Sequence, residues 1–194
     1  MGFLDALLGR RKPARPDLDQ LFGLPSAAIT LEAAAGFRPT GLGSVCFAAV
    51  EGGAFAEVEQ QARALLDADT AQGGVPVEAS RDSYGYSWLL ARHSPEDLPA
   101  LVNDLHAVNS ELEAHGFGPQ LLCSLVGFKD SEGRSLALVY LFKRGTFYPF
   151  APADGGSEKR NSALELQVKA MIGDDLRVEE DLTRWFPVWG APGL

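Results

Sequence analysis

The spacing of apolar residues in the first third of the chain predicts a short helical turn followed by two strands. The turn is predicted at 17–22 and ends at 23–25, where glycine and proline interrupt the helical pattern. Apolar and polar residues alternate over 29–34, which predicts a half-buried strand. A continuous apolar run at 45–50 predicts a second strand, and the stretch 38–43, which contains proline and glycine, is the predicted connection.

The middle of the chain predicts a helix and then a hairpin. Apolar side chains recur at helical spacing over 54–69, and a glycine pair at 73–74 is the predicted stop. Period-two alternation then predicts strands at 75–80 and 84–88. The short turn between these strands makes the pair an antiparallel hairpin.

The second long helix has the most complete set of helix-start features in the chain. Ser94 is the predicted N-cap, Pro95 occupies the first helical position, and Glu96 and Asp97 complement the positive end of the helix dipole. Gly116 is the predicted C-terminal stop. The core stripe consists of apolar residues at helical spacing: Leu98, Leu101, Val102, Leu105, Val108 and Leu112.

The last third of the chain completes a repeated ββα order. Near-continuous apolar runs predict two strands at 120–128 and 135–143, of the kind that lie inside a sheet and are covered on both faces. A third helix is predicted at 158–172. We therefore predict an α+β fold in which a mainly antiparallel sheet, built from three ββα units, is covered by helices. Residues 17–194 form a single domain in this prediction.

Residues 1–16 are predicted to form a short amphipathic helical arm followed by a tether. Gly9 ends the predicted helix, and Pro13 and Pro16 favour an extended chain beyond it. The apolar face consists of Phe3, Leu4, Leu7 and Leu8, and the basic cluster consists of Arg10, Arg11, Lys12 and Arg15. An apolar face beside a cationic cluster suits an anionic membrane surface or an acidic groove of a partner. Packing of the arm against its own domain is the alternative that the sequence leaves open.

Charge and cysteine content narrow the functional class. The 194 residues carry a net charge of −9, which argues against general nucleic-acid binding, because such proteins neutralise phosphates with lysine and arginine. Residues 1–16 carry +3, so that residues 17–194 carry −12.

Cys46 and Cys123 each lie among apolar residues and are predicted to be buried, reduced thiols rather than a disulfide or a reactive thiol. Since no apolar run approaches the roughly 18 residues of a membrane span and no secretory signal pattern occurs, we expect a cytoplasmic protein.

Candidate catalytic and metal-binding residues are sparse. His106 and Asn109 lie near one another on the same predicted helix, but spacing alone supplies neither a nucleophile nor an orienting carboxylate. His115 is predicted to complement the C-terminal end of that helix rather than to react. The acidic run at 174–181 lacks the spacing of a calcium loop and is predicted to be a solvated face. With no zinc, P-loop or nucleophile-elbow motif in the sequence, we predict no catalytic residue, cofactor or metal site.

Three large aromatic side chains lie close together near the end of the sequence. Trp185, Phe186 and Trp189 flank Pro187, which prevents a continuous helix. Such side chains either pack on the domain or form an exposed patch that binds a partner. We favour packing and keep a binding anchor as the alternative, so the three aromatic residues join the arm residues as candidate contacts with a partner or a membrane.

A family resemblance lies in three segments: MGFLDALLGRRK at 1–12, PDLDQLFGLPSAAITL at 16–31 and DLTRWFPVWG at 181–190. They resemble the PspAB family, small proteins linked to the phage-shock protein PspA. The resemblance implies a cytoplasmic, non-enzymatic accessory protein of an envelope-stress response, which interacts with PspA or another phage-shock component at or near the inner membrane surface. It implies no active-site residues, because the three segments include no catalytic motif.

The sequence leaves two other functional classes open. A secretion-chaperone-like module would bind a client segment on an exposed sheet face, and dimerisation would favour it. An enzyme with an unusual site would require a deep pocket that collects four side chains: His106, Tyr84, Tyr86 and Arg92. A homodimer is also compatible with the sequence. Exposure of the sheet and the surroundings of His106 distinguish these classes.

Overall fold

The computed structural model describes residues 16–48, 52–67, 77–153 and 158–194. Its α-helices are α1 (Leu24–Ala35), α2 (Gly53–Asp67), α3 (Leu98–Ala114) and α4 (Ser162–Ile172). Its strands are β1 (Arg38–Ala48), β2 (Glu78–Arg81), β3 (Tyr86–Arg92), β4 (Leu121–Lys129), β5 (Ser135–Leu141) and β6 (Thr146–Phe150). Short 3-10 helices lie at Leu18–Gly23, Gly118–Gln120 and Leu182–Arg184. These elements confirm the predicted α+β class.

The strands form one sheet in the order β2-β3-β1-β4-β5-β6. Every neighbouring pair is antiparallel, which confirms the predicted type of sheet and the predicted hairpin between β2 and β3. Strand β1 begins at Arg38, so the prediction of a connection at 38–43 is wrong. A register shift between Pro39 and Gly43 accommodates proline and glycine within the strand. At Gly41, where φ is 77°, a Cβ would lie 2.1 Å from the carbonyl oxygen of His93, so the strand needs glycine there.

Apart from the exposed edge strand β2, the sheet is buried on both faces. Within β5, Leu138 belongs to the large core cluster on the helix side, whereas its neighbour Val139 belongs to a second cluster on the opposite face. Successive side chains of a strand point to opposite faces, so a strand buried along its whole length needs a cover on each side. Helices cover the first face. Residues 182–194, here called the C-terminal segment, contribute Trp185 and Ala191 to the cluster on the second face.

The predicted strand at 29–34 is wrong, because these residues belong to helix α1. The buried side chains of this helix follow the i, i+3, i+4, i+7 spacing of one helical face: Leu24, Ala27, Ala28 and Leu31. Ile29, in contrast, is 72% exposed. Pro25 lies in the first turn, where a missing N–H costs nothing, so this proline starts a helix instead of ending one.

Two further elements differ from the prediction. Helix α3 begins at Leu98, and its N-cap is Asp97, whose carboxylate accepts a hydrogen bond from the backbone N–H of Ala100 at 3.2 Å. The predicted N-cap, Ser94, donates to Glu96 instead. The predicted core stripe of this helix is confirmed, since all of its residues are buried. Strand β6 has no counterpart in the prediction, so three strands precede α4 and only the middle unit keeps the predicted ββα order.

Some predictions concern residues outside the described part of the chain. The arm lies there except for Pro16, as do the glycine stop at 73–74 and the beginning of the predicted strand at 75–80. Cys46 and Cys123 lie within the described part, and both are buried and free, as predicted. Among the described helices, none is long and apolar enough to cross a membrane.

Candidate functional site

The C-terminal segment is anchored through Trp185. The side chain is 6% exposed and stacks on Tyr148 of β6, with 6.0 Å between the ring centroids and 22° between the ring planes. Its Nε1–H donates a hydrogen bond to the carbonyl oxygen of Glu179 at 3.0 Å. This hydrogen bond satisfies the polar N–H group of the indole, while the apolar ring system of Trp185 packs in the core. The preference for packing is therefore confirmed for Trp185.

Backbone contacts fasten the rest of the C-terminal segment to the sheet. The Tyr148 hydroxyl donates to the carbonyl oxygen of Phe186 at 2.7 Å, and the Ser44 hydroxyl donates to that of Pro192 at 2.8 Å. At Gly127 in β4 the segment passes so close to the sheet that a Cβ would lie 1.9 Å from the carbonyl oxygen of Gly193. Such a distance is far below van der Waals contact, so the observed position of the segment requires glycine at 127.

A buried ion pair joins helix α4 to the C-terminal segment. Glu165 is 3% exposed and accepts hydrogen bonds from Arg160 Nε and from the backbone N–H of Ala151, each at 2.9 Å. Arg160 also donates through Nη1 to the carbonyl oxygen of Trp185. Its guanidinium lies over the Phe150 ring, 5.1 Å from the ring centroid. Because a buried carboxylate needs a partner, Glu165 fixes the arginine that holds the segment.

Glu179 is a second buried carboxylate beside the C-terminal segment. It accepts hydrogen bonds from Arg144, from Thr146 Oγ1 at 3.0 Å and from the backbone N–H of Asp181 at 3.1 Å. Burial by itself raises the pKa of Glu179, but these hydrogen bonds and the charge of Arg144 outweigh it and hold the pKa below its usual value. The predicted solvated face at 174–181 is therefore wrong for this residue, since its donors replace the water that burial removes.

Two apolar side chains at the start of the C-terminal segment remain on the surface. Phe186 is 59% exposed and Leu182 is 53% exposed. Trp189 is partly buried and packs edge-on against Phe150, with the ring centroids 4.8 Å apart. Of the three aromatic residues predicted as contacts, Phe186 thus presents the most side chain to solvent. The prediction missed Leu182, because a single leucine between polar residues gives no pattern from which exposure can be read.

The contacts predicted in the arm lie outside the described residues and stay predictions: Phe3, Leu4, Leu7, Leu8, Arg10, Arg11, Lys12 and Arg15. The described chain begins at Pro16, which lines a shallow cavity of about 350 Å³ near the end of α3. Phe142, Glu113 and Lys143 also line this cavity. The arm therefore joins the domain beside a groove that contains both an acidic and a basic side chain.

The residues proposed for an unusual active site are not brought together. His106 on α3 stacks on Phe22, with the ring centroids 4.8 Å apart, and its Nε2 lies 3.5 Å from a carboxylate oxygen of Asp19. These contacts join α3 to the 3-10 helix at Leu18–Gly23. The other proposed residues lie on the hairpin of β2 and β3 and at the end of β3: Tyr84, Tyr86 and Arg92.

The structure instead pairs His93 with Asp104 of α3. His93 Nε2 and Asp104 Oδ2 are 2.6 Å apart, and both side chains are largely buried. The sequence does not reveal this pair, because only the packing of α3 beside the end of β3 brings the two residues together. His115 is the C-cap of α3, with Nδ1 2.9 Å from the carbonyl oxygen of Glu111, as predicted. In the part of the chain that the structure describes, no group of three or more His, Cys, Asp or Glu side chains is arranged to hold a metal ion.

The chaperone-like alternative depends on an exposed sheet face. Helices cover one face, and the C-terminal segment lies on the other, where Trp185 and Ala191 complete a buried cluster with the strands. A client segment would have to displace this cover before it could reach the sheet. The described structure therefore gives no specific support to client binding on the sheet.

A family model matches nearly the whole chain. The family is described as PspAB, PspA associated protein B, and the match covers residues 1–193. Neither a curated protein nor a solved structure matches the chain. The family match extends over the arm, the domain and the aromatic residues of the C-terminal segment.

Proposed function

Because the chain belongs to the PspAB family of PspA associated proteins, we propose that it is a non-enzymatic accessory protein that binds a PspA-type protein. The family description indicates association with PspA. The binding serves an envelope-stress response at the cytoplasmic face of the membrane. The observation that carries this proposal is the match over residues 1–193, which includes both the arm and the aromatic residues near 185–189.

The contact with the PspA-type protein is made by Phe186 and Leu182. Both side chains are more than half exposed, whereas Trp185 beside Phe186 is buried and fixed by its hydrogen bond to Glu179. An exposed apolar side chain gains free energy when a partner removes it from water. Because Trp185 already holds the backbone in place, less conformational entropy is lost on binding than in a flexible segment. Buried Trp185 thus holds the exposed Phe186 in position, and the partly buried Trp189 enlarges the apolar contact surface.

The arm makes a second contact, with an anionic membrane surface. Its basic cluster is attracted to acidic lipids, whereas residues 17–194 carry a charge of −12 and are repelled. Each lysine or arginine near the surface contributes roughly 1 kcal/mol, so that four contribute about 4 kcal/mol before the cost of ordering the arm is subtracted. This supports weak, reversible association in which the domain faces away from the membrane.

Affinity capture tests the proposed partner in the cells that make the protein. The tagged full-length chain is captured with membranes retained, and the proteins that co-purify are identified by mass spectrometry. Recovery of a PspA-type protein supports the proposal. Recovery of nothing, or only of unrelated soluble proteins, contradicts it.

Substitution of the exposed side chains tests the contact surface. We expect Phe186→Ala and Leu182→Ala each to weaken binding to a purified PspA-type protein by about tenfold, because truncation of an apolar anchor costs about 1–2 kcal/mol. Ile29→Ala is the matched control, since Ile29 is equally apolar and 72% exposed but lies on α1. Titration calorimetry measures the affinities of the wild type and the three variants. Equal binding by the wild type and all variants would show that the partner binds elsewhere.

A further inference from the structure

Cys46 and Cys123 are direct neighbours across the sheet. Cys46 of β1 and Cys123 of β4 are register partners in an antiparallel pair. They are 3% and 8% exposed and belong to the same buried cluster on the second face of the sheet. The two side chains therefore leave adjacent strands on the same side. The sequence separates them by 77 residues, which conceals the pairing.

This placement matches the geometry that a disulfide requires. Directly opposed residues of an antiparallel pair have Cα atoms about 4.5 to 5.5 Å apart, and the Cα atoms of a disulfide are usually about 4.4 to 6.8 Å apart. A bond between the two sulfur atoms therefore fits the observed register, which shifts just beyond this pair, between Cys46 and Phe47. A hydrogen bond with the Cys123 thiol, together with burial, raises the pKa of Cys46 well above its usual value.

The C-terminal segment packs on the same face of the sheet as the two thiols. Trp185 and Ala191 belong to the same buried cluster as Cys46 and Cys123. The raised pKa of Cys46 keeps that thiol protonated, whereas the thiolate is the form that reacts with an oxidant. Departure of the segment from the sheet would hydrate the pair, lower the pKa of Cys46 and admit an oxidant.

We propose that Cys46 and Cys123 form a dithiol modification site, which a peroxide converts into an intramolecular disulfide when the C-terminal segment leaves the sheet. The thiolate of one cysteine attacks a peroxide oxygen, the O–O bond breaks, and a sulfenic acid and one water form. The second thiol attacks the sulfenic sulfur, the S–S bond forms, and the second water leaves. Two thiols are oxidised while one hydrogen peroxide is reduced to two waters. The site does not depend on binding to a PspA-type protein.

Timed oxidation of the full chain by hydrogen peroxide tests this proposal. The readouts are the loss of both free thiols, a mass lower by two hydrogens and a cross-linked peptide pair that contains both cysteines. Gly127→Ala is the opening variant, because its methyl group displaces the carbonyl of Gly193 while both cysteines are retained. Gly173→Ala is the matched control, since the nearest atom to its added Cβ is 3.6 Å away. Circular dichroism and thermal unfolding establish that each variant is folded.

We expect the cross-link in the wild type, about tenfold faster formation in Gly127→Ala, and an unchanged rate in Gly173→Ala. Cys46→Ala abolishes the cross-link. If Gly127→Ala does not fold, Ser44→Ala replaces it, because this change removes the hydrogen bond to Pro192. Disulfide-linked dimers alone would overturn the proposal, as would a cross-link that forms in the denatured chain but in no folded variant. Equal rates in the wild type and the opening variant would overturn the role of the segment as a cover.

Discussion

At the scale of single residues, the ionisation of Glu179 makes the stability of the residues before the C-terminal segment depend on pH. The pKa of Glu179 lies below its usual value of 4.5, so the folded state favours the ionised carboxylate. The resulting stabilisation is complete above about pH 4.5 and is lost as the pH falls through the lower pKa of the folded state. Protonation at that point weakens the hydrogen bonds with Arg144 and Thr146. Acid therefore destabilises the packing of the residues that immediately precede the C-terminal segment.

Glu179→Gln removes this dependence on pH. We expect the free energy of unfolding at neutral pH to fall by about 2–3 kcal/mol, because Arg144 loses a charged partner in the interior. The difference from the wild type should shrink at acidic pH, below the lowered pKa of Glu179, where the wild-type carboxyl is also neutral. Urea denaturation at the two pH values measures both effects. Asp174→Asn is the control, since Asp174 is an exposed member of the same acidic run; equal losses in the two variants would contradict the role of Glu179.

At the scale of elements, α1 and β6 show how a short pattern misleads. The six residues at 29–34 alternate as a half-buried strand does, and the helical spacing emerges only when the window is extended back to Leu24. Strand β6 contains Pro149, which argues against a strand because proline lacks a backbone donor. Since β6 is at the edge of the sheet, that missing donor is tolerated. In both segments, the position in the fold thus determines whether the residues form a helix or a strand.

Substitutions in α1 distinguish the two interpretations of 29–34. Ile29 and Leu31 would share a face in a strand, but in the helix Leu31 is fully buried and Ile29 is mostly exposed. We expect Leu31→Ala to lower the free energy of unfolding by about 2–5 kcal/mol, because it leaves a cavity in the core. Ile29→Ala should change it by less than about 0.5 kcal/mol. Urea denaturation measures both values, and similar losses would favour the strand.

At the scale of the whole molecule, the sequence predicts the class of fold but not the cover on the second face of the sheet. The core stripe of α3, the β2–β3 hairpin and the apolar runs of β4 and β5 are local patterns, and the structure confirms them. The strand order depends on contacts between distant residues, which no local pattern encodes. The same is true of the candidate site: Phe186 belongs to a visible aromatic group, whereas its support by Tyr148, Arg160 and Gly127 depends on the folded arrangement.

Deletion of residues 1–16 tests the division of the molecule into an arm and a domain. We expect the remaining chain to stay folded and to lose most of its affinity for anionic vesicles, because the four basic residues of the arm are removed. Co-sedimentation with anionic and neutral vesicles at two salt concentrations measures the association, and circular dichroism measures folding. Replacement of the three arginines of the arm by lysine is the matched control, because it preserves the charge. Loss of soluble folded protein on deletion would show that the arm packs against the domain.

Strand β1 lies inside the sheet although it is the first of the described strands in chain order. The register partners of Cys46 are Trp88 and Cys123, which follow it by 42 and 77 residues. In contrast, β2 pairs with β3, β4 with β5, and β5 with β6, through short turns of the kind that close within about 1–10 microseconds. The topology therefore produces two locally paired halves that only β1 joins, and joining them requires the closure of long loops, which slows folding. Among the described strands, β1 is thus synthesised first, and we expect it to be the last to gain both of its neighbours.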